Sequence, residues 1–335
     1  MSPLLSLPRE LRDTIIDRVL SSARLAPPTI SSAESNRCAP PSYEGPQDPG
    51  FDSWPYGQSH VRFEQPAYIS NSYPLFLTNH QLAAETASAL RRLSLPYELD
   101  VMQVDEAELW PTWLSVPVLT SKLDVVNVTF RATGFAKKRS MWKRGCGAPP
   151  YMLWCFYYLL EHVLKRGPVG KTSASWDREV SIKTLNLNFV GNNHVSPGDP
   201  SDSRDIKYTY SADPDENTNN MDLRPEWVAD FLDSELWGLL GMGNSGAAYG
   251  KILHERVGSI QFMVNGETKE NLNLTNILHE LNPTSKHDTF GHVAPEERLS
   301  AFWKWKEETA RKRMELGFLG VGDEDLDEDW REQYG

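Results

Sequence analysis

Cysteine is scarce: Cys38, Cys146 and Cys155 are the three in 335 residues. An odd, dispersed set excludes a disulfide framework. No two of them stand at close metal-ligand spacing, so they read as free thiols of a reducing compartment. No apolar run reaches the length of a membrane-spanning helix. Charges at Arg9, Glu10, Arg12 and Asp13 interrupt the apolar residues near the start, which argues against a signal peptide. The expected location is the cytosol or nucleus, away from any membrane. Basic residues are outnumbered, and the formal net charge is −12. A general nucleic-acid binder would need the opposite balance to neutralise phosphates. The acidity favours proteins as partners, including basic ones.

Catalytic signatures are missing too. No Gly-x-Ser-x-Gly elbow, Walker loop or Cys-x-x-Cys pair is present. The histidines are scattered, and the nearest group (His279, His287, His292) would reach one metal only through a folded loop. No metal, no cofactor and no catalytic residue is expected. One motif needs weighing: Gly241-Met242-Gly243-Asn244-Ser245-Gly246 fits the dinucleotide fingerprint, and Glu267 lies at about the distance of a ribose-binding acid. That reading requires a strand before the loop. The preceding text, Trp227 to Leu240, is helical in pattern. The loop is therefore expected to join two helices, with glycine supplying positive-φ turns. Lys137 to Arg144 is a basic run, read as a solvated loop rather than an import signal.

What is present in abundance is amphipathic pattern. From Leu7 to Leu20, Leu7, Leu11, Ile15 and Val19 recur at helical spacing, and Ile16 and Leu20 widen the stripe. Arg9, Arg12, Asp13, Asp17 and Arg18 form the other face. Pro8 suits a first turn, where its missing N–H has no partner to lose. Periodicity alone favours a helix that covers a core.

The order Leu-Pro-x-Glu-Leu-x-x-x-Ile-Ile-x-x-Val resembles the first helix of the F-box. The segment Pro74 to Ala87 is similar to a second helix of divergent fungal F-box-like proteins. An ordinary F-box places its later helices almost directly after the first, whereas here roughly fifty residues intervene, against a typical connection of a few. The resemblance implies that Leu7, Pro8, Leu11, Ile15, Ile16 and Val19 pack on the Skp adaptor of a cullin-type ubiquitin ligase. It also implies that the following body recognises a client protein and that the chain does no chemistry itself. Two alternatives remain: a scaffolding protein that keeps only F-box ancestry, and an α/β enzyme that uses the Gly241–Gly246 loop.

Composition along the chain divides it into an F-box-like helical region over 1–95, a body over 96–318 and an acidic tail over 319–335. The helical region holds a Ser/Pro-rich loop insertion at about 21–60. A short strand is expected between His60 and Ile69, confined to an edge by Pro66. Thr78 with Gln81 makes a capping box for a helix whose inner face is Leu82, Thr86, Ala89, Leu90 and Leu93.

In the body, Tyr97–Val104, Leu123–Phe130, Ile182–Val190 and Ser259–Val264 read as strands. Asn265-Gly266 gives a turn signal after the last of them. Helices are expected over Tyr151–Lys165, Pro225–Leu240, Ala247–Arg256, Asn273–Leu281 and Pro295–Leu316, with a loop over 191–222. Long spacings between strands imply crossovers and a mostly parallel sheet. The fold class is α/β or α+β, and the strand texts are similar to an irregular leucine-rich-repeat sheet with covering helices. Tryptophan, at eleven copies, is assigned by default to the core.

Overall fold

A computed structural model of the chain describes residues 3–39, 55–104, 108–133, 135–136, 151–168, 177–191, 221–222, 224–243, 246–282, 290 and 293–318. The basic run 137–144, Cys146, His287, His292, nearly all of the 191–222 loop and the acidic tail 319–335 lie outside them. The chain begins with α1 (Arg9–Leu20), α2 (Ile30–Glu34), β1 (Arg37–Cys38), α3 (Pro55–His60), β2 (Phe63–Glu64), α4 (Ser72–Thr78) and α5 (His80–Arg92). The body follows as β3 (Tyr97–Val104), β4 (Glu108–Ser115), β5 (Lys122–Thr133), β6 (Phe135–Ala136), α6 (Tyr151–Arg166), β7 (Ser181–Val190), β8 (Met221–Asp222), α7 (Pro225–Leu240) and α8 (Ala247–Arg256). It closes with β9 (Val257–Val264), β10 (Glu267–Asn273), α9 (Leu274–Glu280) and α10 (Arg298–Leu316).

Three local expectations are corrected. The 21–60 stretch is not loop alone: α2, capped by Thr29 and Ser32, and β1 stand within it, and β1 pairs antiparallel with β2. The α5 cap is Asn79, whose side-chain oxygen accepts the Leu82 N–H at 2.9 Å, because Thr78 is already the last residue of α4. The outermost strands of the sheet, β4 and β10, carry no strand signal in the sequence pattern. Pro111 and the paired Trp110 and Trp113 mask β4, and alternating charge masks β10.

Six strands form the main sheet in the order β10-β9-β7-β5-β3-β4. The four inner strands run parallel, and each outer strand is antiparallel to its neighbour. The mixed, mostly parallel α/β sheet expected from the spacing is what the chain builds. Alternation explains its sidedness. Val126, Val128, Phe130, Leu185, Leu187, Phe189, Ile260 and Phe262 all point to one face and share a single buried cluster with α6 and α7. The Phe130 and Phe189 rings stack with centroids 5.0 Å apart, and Phe189 stacks on Phe262 at 6.1 Å. The intervening residues put a polar row on the opposite face: Glu98, Asn127, Asn186 and Gln261 stand in register across β3, β5, β7 and β9. Asn186 donates to Asn127 and Asn127 to Glu98, each at 2.8 Å. Near β4 this face is closed over by α2, where Ala33 packs with Met102, Val104 and Trp110.

Asn265 and Gly266, at φ 50° and 84°, make the two-residue turn between β9 and β10. Both central residues have positive φ, the geometry that matches strand twist in tight hairpins. The C-terminal helix α10 is fastened by two buried cations that bond carbonyls. Lys306 Nζ donates to His279 O at 2.9 Å and Leu281 O at 2.8 Å. Arg313 donates to His254 O at 2.5 Å, Val257 O at 2.7 Å and Gly258 O at 3.2 Å. The carbonyls lie at the end of α9 and at the buried junction of α8 with β9, where the last carbonyls of a helix have no helical partner.

Candidate docking face on the N-terminal helices

The apolar stripe of α1 splits along its length. Leu11 is 51% exposed and Ile15 39%, whereas Ile16 and Leu20 are 1% and 0% exposed. A helix turns 100° per residue, so the i, i+4 pair Leu11–Ile15 and the pair Ile16–Leu20 lie on adjacent, separate faces. The inner pair packs with Leu82 and Ala89 of α5, rimmed by Leu75, Leu90 and Leu93. Pro8 is exposed, and Leu7 and Val19 are half-buried. The inclusion of Ile16 among the adaptor-contacting residues is therefore corrected: its side chain is spent on the intramolecular core. Five of the six expected positions keep some exposure.

Arg12 is also corrected. Read as part of the solvated face, it is buried, and its guanidinium forks onto Glu85 of α5 at 3.0 and 2.7 Å. Its third bond, to Leu7 O at 2.5 Å, anchors the segment entering α1. Hydrogen bonding to Glu85 raises the Arg12 guanidinium, and Arg12 in turn holds the Glu85 carboxyl low. Arg92 at the end of α5 bonds Asp17 of α1 at 2.6 and 2.8 Å. A guanidinium fork matches a carboxylate in plane, so these contacts fix the relative rotation of the two helices. That rotation turns Leu11 and Ile15 outward. The sequence gives no local signal for it, because Arg12 and Glu85 are separated by the whole insertion.

Exposed large apolar side chains concentrate in this part of the chain. Besides Leu11 and Ile15 they include Leu25, Ile69, Tyr73, Phe76 and Leu77; among the described residues Leu119, Trp237 and Met314 are the others, all in the body. Tyr73, Phe76 and Leu77 belong to α4, which touches α1 and was not anticipated as a separate helix. The Asn71 carboxamide, just before α4, donates to Leu20 O at 2.9 Å and Ser22 O at 2.8 Å. Its backbone N–H bonds Val116 O at 2.8 Å, which ties the helices to the end of β4.

The glycine loop lacks the context a dinucleotide needs. α7 precedes it and α8 follows it, and no strand enters it. Its left-handed residue is Met242 (φ 53°), while Gly241 and Gly246 have φ of −68° and −65°, so the expectation of positive-φ glycines there is corrected. The glycines serve close approach instead. A Cβ on Gly250 would lie 2.2 Å from Leu239 O, and one on Gly246 would lie 3.0 Å from Gly238 O. Asn244 and Ser245 lie outside the described residues.

Other chemistry is muted. Burial pushes the Cys155 thiol up to about 12, which leaves it unreactive. Among the described residues no three His, Cys, Asp or Glu side chains are grouped to hold a metal ion. No helix among them is long and apolar enough to cross a membrane. The void between α6 and the sheet holds about 30 Å³ and is lined by Leu99, Val128, Phe156 and other apolar groups. Such a lining, at one water's volume, offers no polar group to orient a ligand. Compared with known proteins, the chain matches no family model, no curated protein and no solved structure.

Proposed function

We propose that this chain is a non-catalytic protein-interaction module of the F-box kind, the substrate receptor of a Skp–cullin–F-box ubiquitin ligase working in the cytosol or nucleus. The observation that carries the reading is the split of α1. Leu11 and Ile15, the motif residues that would face the adaptor, stand in solvent beside Pro8, while the helix is held by Ile16, Leu20 and Arg12. An apolar pair kept outward on a helix locked by two ion pairs is what a preformed docking face requires. Covering Leu11 and Ile15 would contribute on the order of 1 kcal/mol each, since each is about half-buried already.

The body supports the receptor role by analogy with an irregular leucine-rich-repeat sheet. Four parallel strands follow one another in chain order, helices pack on one face, and a half-exposed polar row remains on the other for a client. A second reading, a scaffold that retains only F-box ancestry, is favoured by the burial of Ile16 and Leu20 against α5.

Copurification with the Skp adaptor separates the two readings. A stoichiometric complex that Leu11→Asp abolishes, with the circular dichroism of the body unchanged, supports the receptor. No complex with the wild type leaves the scaffold.

A further inference from the structure

The outer strand β10 carries a carboxylate where an apolar side chain belongs. Glu270 pairs in register with Phe262, which is 1% exposed on the helix-covered face of β9. A register shift between Thr268 and Glu270 sets it there. It thus points under α7, whose Asp230, Asp233 and Trp237 share one side at i, i+3, i+7 spacing. Trp237 Nε1–H donates to Glu270 Oε1 at 3.2 Å, and the Asp233 side chain hydrogen-bonds Glu270. Asp233 Oδ1 is buried without a hydrogen-bond partner. Among the described residues, the cation beside the group is Lys269, and it is taken by Asp230 at 3.0 Å. The covered face of β9 brings only Phe262 and Val264, and α9, beside β10, brings His279 and Glu280 in its last turn.

Two carboxylates are acceptors only. A hydrogen bond between them exists only while one oxygen keeps a proton. We propose that Asp233 and Glu270 share one proton as a latch that fastens the edge strand β10 to α7, and that loss of this proton releases β10 from the sheet edge. The bond that breaks is O–H···O; the proton leaves to water, and two negative charges then face each other with Asp230 adjacent.

Desolvation, followed by the nearness of Glu270, pushes Asp233 up to about 7. A raised carboxyl means that the folded state holds a proton the unfolded chain has already lost. The latch therefore contributes in full only below the ordinary carboxyl value, weakens as pH rises from there, and is spent once pH passes about 7. Release uncovers the backbone N–H and C=O groups of β9, a template for pairing with another strand.

Hydrogen exchange of the full chain, read as protection factors for residues 267–273 at pH 6 and pH 8, tests the latch. The wild type is expected to lose about tenfold in protection between pH 6 and pH 8, most of it below about pH 7, with no further loss well above that value. In Asp233→Asn the amide N–H replaces the shared proton, so protection stays at the pH 6 level throughout; Glu270→Gln is expected to behave the same way. Equal wild-type protection at both pH values overturns the proposal, as does an equal loss in Asp233→Asn.

Discussion

Truncating neighbouring residues of α1 should have opposite consequences. Ile16 is 1% exposed and packs among Leu20, Leu82 and Ala89, so Ile16→Ala removes buried methyl groups and leaves a cavity at the α1–α5 seam. Such truncations cost about 2–4 kcal/mol. Leu11 is 51% exposed at the third position of the helix. Leu11→Ala forfeits little burial and gains slightly in helix propensity, so the change stays within about 0.5 kcal/mol. Leu11→Asp places a negative charge in the first turn, where the helix dipole favours it by about 0.3–1 kcal/mol. The assay is urea unfolding followed by circular dichroism, with the slope required to stay constant so that midpoints report stability. Ile16→Ala should shift the midpoint down and Leu11→Asp should not. Adaptor copurification of the same proteins should show the reverse order of damage, with Leu11→Asp losing the complex. If Leu11→Asp destabilises as much as Ile16→Ala, the outward face is structural and the docking argument fails.

Further outcomes follow from the body. Arg313→Met strips hydrogen bonds from His254 O, Val257 O and Gly258 O, and should lower stability by about 3 kcal/mol or more in the same urea assay. Gly250→Ala drives a methyl against Leu239 O of α7 and should cost about 1–3 kcal/mol, seen as a lower melting temperature. His254 is fully buried and pushed down to about 4 by desolvation. Its unfolded form takes a proton at higher pH than its folded form, so its contribution is present above about pH 6.5 and is lost as pH falls toward 4, by about 3 kcal/mol. His254→Gln, which can still donate to Leu240 O, should flatten that fall when midpoints at pH 7.5 and 4.5 are compared. Because α7 precedes the glycine loop, NAD or ATP should leave the melting temperature unchanged; a saturable rise would restore the enzyme reading.

The inner strands were legible because alternation is a local property. Val126-Asn127-Val128-Thr129-Phe130 and Leu185-Asn186-Leu187-Asn188-Phe189 state which side is buried without reference to any partner. The helices α7 and α8 were placed with the bounds they have, Pro225 opening the first and the glycine loop parting them. Of the outer strands, β4 is buried on both faces and so shows no alternation, whereas β10 has only one covered face and fills the rest with residues that discourage pairing. In β10 these are Glu267, Lys269 and Glu270, a text with no apolar alternation until Leu272. The short strand β2 falls where the sequence pattern places one, between His60 and Ile69, but its neighbours α2 and β1 are hidden for another reason. Arg37 ties them together by bonding Ala33 O of α2 at 2.8 Å and Pro111 O at 2.7 Å, the second on a strand far along the chain.

The docking face illustrates where pattern stops and packing begins. Periodicity identifies an amphipathic helix but leaves the six apolar residues from Leu7 to Leu20 equivalent, a stripe too wide for one neighbour. α5 supplies only Leu82 and Ala89 as fully buried contacts, enough to cover two of them. Which two is decided by rotation about the helix axis, and that rotation is set by Arg12 on Glu85 and Asp17 on Arg92, two pairings of opposite polarity on successive turns of the helix. Exchanging the charges of Arg12 and Glu85 together should therefore preserve the outward position of Leu11 and Ile15, whereas reversing Glu85 alone should let α1 turn. Limited proteolysis and adaptor capture of the single and double variants would report that rotation. Capture lost in the single variant and regained in the double ties the docking face to the fork; equal capture in all three would show that the apolar seam alone orients the helix.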